Sequence, residues 1–449
     1  MKTVRLLKRK VQDSLLSYKH QLHLMVKTLF LVALVLYAYT LRGQDLDYAK
    51  EVVGILASPE MKGRGYADDG NKLAANYIKT QFEQIGLKPI NGDYYQRFSI
   101  NVNTFPGKLK LVLDDHKLIP GVDYLVDPFS PPLKGKFDVE WVESRDLLDN
   151  SKLRSAISNS KGKMLIIDQR NYTPELKEEK QKIDEIKGFL KYSPQVLSAG
   201  TIILTSEKLV WGTSTQQAQK TSFTVNSVED LAKLSSVKVD VDASLIRYET
   251  RNVIGYIEGT ECPDSFLVVT AHYDHLGAMG NKTFFPGAND NASGVAMLLT
   301  LAKHFKQNPQ KYSIVFVALA AEEVGLIGAK FFVDHPLVDL KRIVFLINFD
   351  LAGTGDEGIK VVNGSVFKAH FDILSGINLK NEYLKSVQAR GAACNGDHCM
   401  FYEKGVPCFN IYTLGGIQAY HDIYDKSETL PLNEFADYSK LMIGYLESL

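Results

Sequence analysis

The spacing of apolar positions along the chain changes twice. Residues 46–88 have helical spacing, and "NKLAANYIKTQFEQIGL" places Leu73, Tyr77, Ile78, Phe82 and Ile85 on one stripe. Asp68, Asp69 and Gly70 precede this helix as a capping loop, and Gly86 ends it. From about 95 to 250 the pattern becomes short and alternating, as in "KLKLVLDD", "KGKMLIIDQ" and "AGTIILTSE", broken by Pro, Gly and charged turns. That predicts a strand-rich module with one charged amphipathic helix in "ELKEEKQKIDEIKGFLKY", whose charge run is a solvated face. From 251 onward "SFLVVTAH", "YSIVFVALA" and "RIVFLINFD" are continuous apolar runs, which suit strands buried on both faces. Helices are predicted between and after them over 292–307, 326–333 and 432–448, the first with Val295, Leu298, Leu299, Ala302 and Phe305 inward. The fold expected is α/β, a doubly wound mixed sheet with helices on both faces. It is built from residues 45–95 and 251–449 and interrupted by a strand-rich insert over 96–250.

Composition narrows the class. With 449 residues, 45% hydrophobic, there is room for a large domain and a smaller one. Lys and Arg total 52, as do Asp and Glu, so no basic footprint supports nucleic-acid binding. No internal repeat or low-complexity tract is apparent. Residues 1–24 are basic, and after Lys27 an apolar run extends from Leu29 to Leu41. This run is shorter than the roughly 20 residues of a membrane span. A basic flank with a short apolar core reads as a secretory signal, so residues 1–43 are expected to be a targeting segment cleaved just before Gln44 or Asp45. The mature chain is then secreted or periplasmic, with no stable membrane partner. In an exported protein a Cys394–Cys399 bridge is plausible. Cys408 in "GVPCFNIY" reads as part of a buried strand, and without a CxxC pair a cysteine-based structural zinc site is not expected.

Polar residues follow each buried run. His272 comes after "SFLVVTA", with Asp274 and His275 close behind; Asp290 opens the next helix; Glu322 and Glu323 follow "IVFVALAA"; Asp350 follows "IVFLINF"; and "AYHDIYDK" supplies His421. Carboxyl ends of strands are where open α/β sheets bind ligands. Singly these residues have ordinary readings: His272 a satisfied core histidine, Asp290 an N-cap, Asp350 a turn residue, the glutamates surface. Jointly, imidazoles and carboxylates suit Zn²⁺, and a short Asp among small residues (Gly287, Ala288, Ala292, Gly294) can bridge two ions. Of two adjacent glutamates at a strand end, one can bind metal while the other acts as a general base. Asp274 can hold the far ring nitrogen of His272. His275 and His398 are left undecided. A serine hydrolase on this kind of sheet would need a G-x-S-x-G elbow, and none occurs.

The motifs "AHYDHLG", "PGANDNASGVA", "AAEEVGLIGA", "NFDLAG" and "YHDIYDKSETL" resemble the M28 family of di-zinc metallopeptidases over residues 45–95 and 251–449. The resemblance implies that His272 and Asp350 bind one zinc, Glu323 and His421 the other, with Asp290 bridging and Glu322 as general base. It implies an oxyanion-stabilising role for Tyr420 and a strained Asp290–Asn291 peptide bond, with the cis form open. "GDHCMF" departs from the family's usual Ser-Asp-His step, so it assigns no role to Asp397 or His398. The insert has a weak likeness to a protease-associated domain. The function implied is a metal-dependent exopeptidase, preferably an aminopeptidase, which hydrolyses peptide substrates through water activated by two zinc ions. A single-zinc glutaminyl cyclase and a non-catalytic receptor-like ectodomain of the same fold are the alternatives.

Overall fold

The computed structural model describes residues 46–172, 174–226 and 234–449; the expected targeting segment, 1–43, lies outside them. Helical residues 46–56 (α1) lead through two short 3-10 turns to α2 (Gly70–Ile85). The inward face of α2 is Asn71, Ala74, Ala75, Ile78 and Phe82, while Leu73 is exposed, so the stripe is turned from the one expected. No side-chain cap bond forms at Asp69, but Gly86 does end the helix, left-handed at φ 86°, with its N–H donating to the Phe82 and Glu83 carbonyls.

β1 (Tyr95–Thr104) leads into β2 (Leu109–Leu113), β3 (His116–Lys117), β4 (Tyr124–Val126) and β5 (Leu133–Glu143). Next come α3 (Asn150–Asn159), β6 (Met164–Asp168), α4 (Lys177–Tyr192), β7 (Gly200–Thr205), β8 (Thr221–Asn226) and β9 (Ser236–Val241). β2 to β9 make an eight-stranded sheet in the order β3-β2-β9-β5-β6-β7-β8-β4, parallel from β5 to β8 and antiparallel elsewhere. Its core is Leu111, Tyr124, Met164, Ile202, Phe223 and Val239 with their neighbours.

The remaining elements are β10 (Ser244–Ile257), β11 (Cys262–His272), β12 (Ala278–Met279), β13 (Thr283–Phe284), α5 (Gly294–Gln307), β14 (Tyr312–Leu319), α6 (Ile327–Asp334) and β15 (Ile343–Phe349). They continue with β16 (Gly358–Val362), α7 (Lys368–Asn381), β17 (Val387–Ala389), α8 (His398–Glu403), β18 (Cys408–Leu414) and α9 (Phe435–Glu447). A second eight-stranded sheet runs β1-β10-β14-β11-β15-β18-β16-β17. It is parallel through β14, β11, β15 and β18, and antiparallel at β1–β10, β10–β14 and β16–β18. The strands at both ends of the 96–250 stretch therefore pair here, with Tyr95 opposite Val253 and Thr104 opposite Ser244. The central strands are buried almost throughout, as their unbroken apolar runs require. α5 packs with Val295, Leu298, Leu299, Ala302 and Phe305 fully buried. Cys394 and Cys399 form a disulfide, and Cys408 is a buried thiol in β18. Residues 49–449 form one compact unit.

Candidate metal centre

The parallel strands deliver their polar residues to one end of the sheet. His272 is the last residue of β11, Asp350 directly follows β15, the Glu322–Glu323 pair follows β14, Asp290 lies in the irregular turn that starts α5, and His421 follows β18. All five expected ligands converge. Asp290 turns its two oxygens to different imidazoles: Oδ1 is 3.4 Å from His272 Nε2, and Oδ2 is 3.0 Å from His421 Nε2. His272 Nε2 is also 3.6 Å from Asp350 Oδ1, and His421 Nε2 is 3.3 Å from Glu323 Oε2. Ligand atoms about 2.0–2.2 Å from a shared tetrahedral ion stand about 3.3–3.6 Å apart; three of these spacings fall in that range and the His421–Asp290 one is shorter, an arrangement compatible with metal sites that share Asp290.

The ring tautomers fit as well. A carbonyl can only accept, so His272 Nδ1–H donates to the Asp274 carbonyl at 3.2 Å and His421 Nδ1–H donates to the Trp211 carbonyl at 3.0 Å. Both Nε2 atoms are left facing the carboxylates. The His272 contact differs from the expectation: the main chain of Asp274 holds the ring, and its carboxylate is 3.9 Å away. That carboxylate has another task. It accepts from the backbone N–H groups of Glu322 (3.1 Å) and Glu323 (3.3 Å) and from the Tyr66 hydroxyl (2.9 Å), and so fixes the turn that carries both glutamates.

His275, undecided from sequence, is buried beside Glu323, with Nδ1 2.7 Å from Oε1 and 3.9 Å from Asp290 Oδ1. The short contact is a hydrogen bond between the ring and the carboxylate. His275 thus contacts Glu323 on one oxygen while His421 faces its other oxygen, so both imidazoles stand on that side of Asp290. Gly287 lets His275 lie there: a Cβ at that position would come within 2.4 Å of the His275 ring and 2.2 Å of the Asp290 carbonyl.

The Asp290 turn is held from two directions. Arg64, fully buried, donates Nε to the Tyr273 carbonyl, Nη1 to Leu56 and Pro286, and Nη2 to Gly287 and Asp290, at 2.7–3.0 Å. Asp425 accepts from the amides of Asn289 (2.8 Å) and Asp290 (2.9 Å). The Asp290–Asn291 peptide is cis. Non-glycine residues with positive φ adjoin the site: Arg64 (52°), Ala321 (59°) before Glu322, Leu351 (49°) after Asp350, and His421 itself (50°). Such backbone states are sparsely populated and gather where surrounding structure imposes them.

Electrostatics follow from packing acids and imidazoles together. Burial opposes charge on His272, but Glu322, Asp350 and Asp290 hold its imidazole well above the ordinary range. Burial opposes ionisation of Asp290 too, yet the His421 hydrogen bond and the three imidazoles keep it well below the carboxylate range. Burial raises Glu322 well above that range, with Asp397 and Asp350 adding to it against His272. Among the described residues, no hydrogen bond or ion pair engages the Glu322 carboxylate. Tyr420, half-exposed, stacks on His421 with centroids 4.0 Å apart, and its partial desolvation together with the nearby Asp290 and Glu323 keeps its phenol protonated. Asp397 is buried with neither oxygen hydrogen-bonded, and burial lifts it to about 8. His398, within the loop that the Cys394–Cys399 disulfide closes, donates Nε2–H to the Ala393 carbonyl just before that loop at 3.0 Å.

Residues 252–446 match the model of Peptidase family M28. An aminopeptidase of Bacillus subtilis is 40% identical over 111 residues, 24% of this chain and 23% of that protein. A probable zinc metalloprotease of Pyricularia oryzae is 37% identical over 113 residues, 24% of this chain and 22% of that one. The matched stretch thus spans about a quarter of these relatives. Among solved structures, a zinc aminopeptidase from Bacillus subtilis superposes with a TM-score of 0.66 at 19% identity, over 90% of this chain and 94% of that one. A peptidase M28 precursor from Shewanella amazonensis gives 0.66 at 16%, over 91% and 96%. These likenesses show the α/β fold, and the match to the model of Peptidase family M28 over residues 252–446 takes in every residue of the carboxylate–imidazole cluster.

Proposed function

We propose that the chain is a zinc-dependent exopeptidase, an aminopeptidase that holds two zinc ions. One observation carries the reading: Asp290 faces His272 with one oxygen and His421 with the other, while Glu322 stands beside the cluster with an unengaged carboxylate. His272 and Asp350 would hold one ion, Glu323 and His421 the other, and Asp290 both. When bound, the pair supplies the Lewis acidity that makes an attacking water acidic and stabilises charge on the scissile carbonyl. Glu322 accepts a proton from that water and delivers it to the leaving amine. The Tyr420 phenol donates to the carbonyl oxygen as charge develops there. The names of the relatives, an aminopeptidase and a zinc metalloprotease, support the peptide substrate and the metal. The basic flank and apolar run of residues 1–41, with the Cys394–Cys399 disulfide, support export to an oxidising compartment.

The test is digestion of a mixed peptide library by the zinc-loaded protein, read by mass spectrometry. Ladders shortened one residue at a time from the amino end are expected. Trimming from the carboxyl end, internal cuts or intact peptides would overturn the aminopeptidase reading.

A further inference from the structure

The connection from β7 to β8 leaves its own sheet and crosses to the metal centre. Trp211 anchors it. Its indole N–H donates to the Val126 carbonyl at 2.8 Å, and its ring stacks on Phe285 with centroids 4.6 Å apart. From there the strap touches both outer groups of one side of the cluster. The Trp211 N–H donates to the His421 carbonyl at 2.9 Å while its carbonyl accepts from His421 Nδ1, a reciprocal pair. The Thr213 hydroxyl donates to the Glu323 carbonyl. Lys208 completes the contact: Nζ donates to the Gln418 carbonyl (2.6 Å) and the Tyr420 carbonyl (3.2 Å), and is 2.6 Å from Asp422 Oδ2. The ammonium so closes the turn on which His421 sits at φ 50°. On the other side, His272 is held by the Asp274 carbonyl, and the Asp350 amide donates to Ile411.

We propose that the 208–213 strap is a positioning element for the Asp290–Glu323–His421 side of the centre alone, with Lys208 as its positioning residue. The inference rests on the two-metal reading of the site. The middle of the chain then governs the site without contributing a ligand. The Trp211 carbonyl fixes the His421 tautomer, Thr213 fixes the Glu323 backbone, and Lys208 fixes the turn between them. Partners of this kind typically change metal affinity by roughly 10–100-fold when removed.

The test is calorimetric titration of the chelator-stripped full-length chain with Zn²⁺, for the wild type, Lys208→Met, Lys208→Arg and Thr213→Val. Two binding steps are expected for the wild type. Lys208→Met and Thr213→Val should weaken one step by about tenfold or more and leave the other within about twofold, and Lys208→Arg should restore the weakened step. Lys208 is partly exposed, and thermal unfolding of Lys208→Met should stay close to wild type. Two wild-type steps that both variants leave unmoved, or weaken equally, would overturn this inference and leave the metal reading standing. Fewer than two wild-type steps would overturn the metal reading and the inference together.

Discussion

Asp290 stands where the hydrogen bonds of Arg64, Asp425 and His421 meet, so its position is set by residues far apart in sequence. The roles of the two glutamates separate by mutation. Glu322→Gln should retain two zinc ions by elemental analysis and lose about 10²–10⁴-fold in kcat, because the amide removes only proton transfer. A variant that instead lost zinc would require Glu322 and Glu323 to exchange roles. Arg64→Met should lower stability by about 3–5 kcal/mol in urea titration, since buried carbonyls lose their donors. Arg64→Lys should rescue only part of this, because an ammonium has three donors where the guanidinium has five. Wild-type midpoints for both variants would contradict the clamp. The residues proposed as ligands were legible because each is a chemically distinctive side chain at the end of an apolar run. Arg64, in "MKGRGY", reads as surface charge, and its partners are carbonyls, which leave no mark in sequence. Trp211 supports His421 through its own carbonyl, which any residue would supply.

At the scale of elements, the alternating pattern of β1 misled for a physical reason. β1 is the outermost strand of its sheet, with outward residues from Arg97 to Asn101 exposed, and its alternation matches that of the middle-segment strands. Only pairing with β10 places it. Leu73 was misplaced because Ala74 and Ala75, which seat α2 closely against its neighbours, weigh little in an apolar stripe. α4 carries a device that sequence did not suggest. Lys220 is buried, with Nζ donating to the Leu190 carbonyl in the last turn of α4 and to the Val196 carbonyl, each at 2.9 Å. Burial lowers its pKa from 10.5 to about 8. Between those values the unfolded chain binds more protons than the folded one. The cost of burying the charge is therefore full below about pH 8 and fades as pH rises to 10.5. Relative to Lys220→Met, the wild type should gain on the order of 1–3 kcal/mol in denaturant titrations between pH 8 and pH 10. A stability difference that stays constant over that window would contradict this.

For the whole molecule, the α/β class was read from three apolar runs and the helices between them, and the order of the polar residues after those runs located the site. Two relations lay beyond that reading. One is which strands join which sheet, a matter of long-range pairing. The other is how the 208–213 strap meets His421, a contact between segments with no shared pattern. The central claim is that one carboxylate, Asp290, joins two metal sites whose other ligands come from different strand ends. Anomalous diffraction at the zinc edge, from crystals of the chain grown with Zn²⁺, tests it most directly. The account predicts two peaks flanking Asp290, one beside His272 and Asp350 and one beside Glu323 and His421. A single peak, or a second peak held by His275 with His421 turned away, would contradict it.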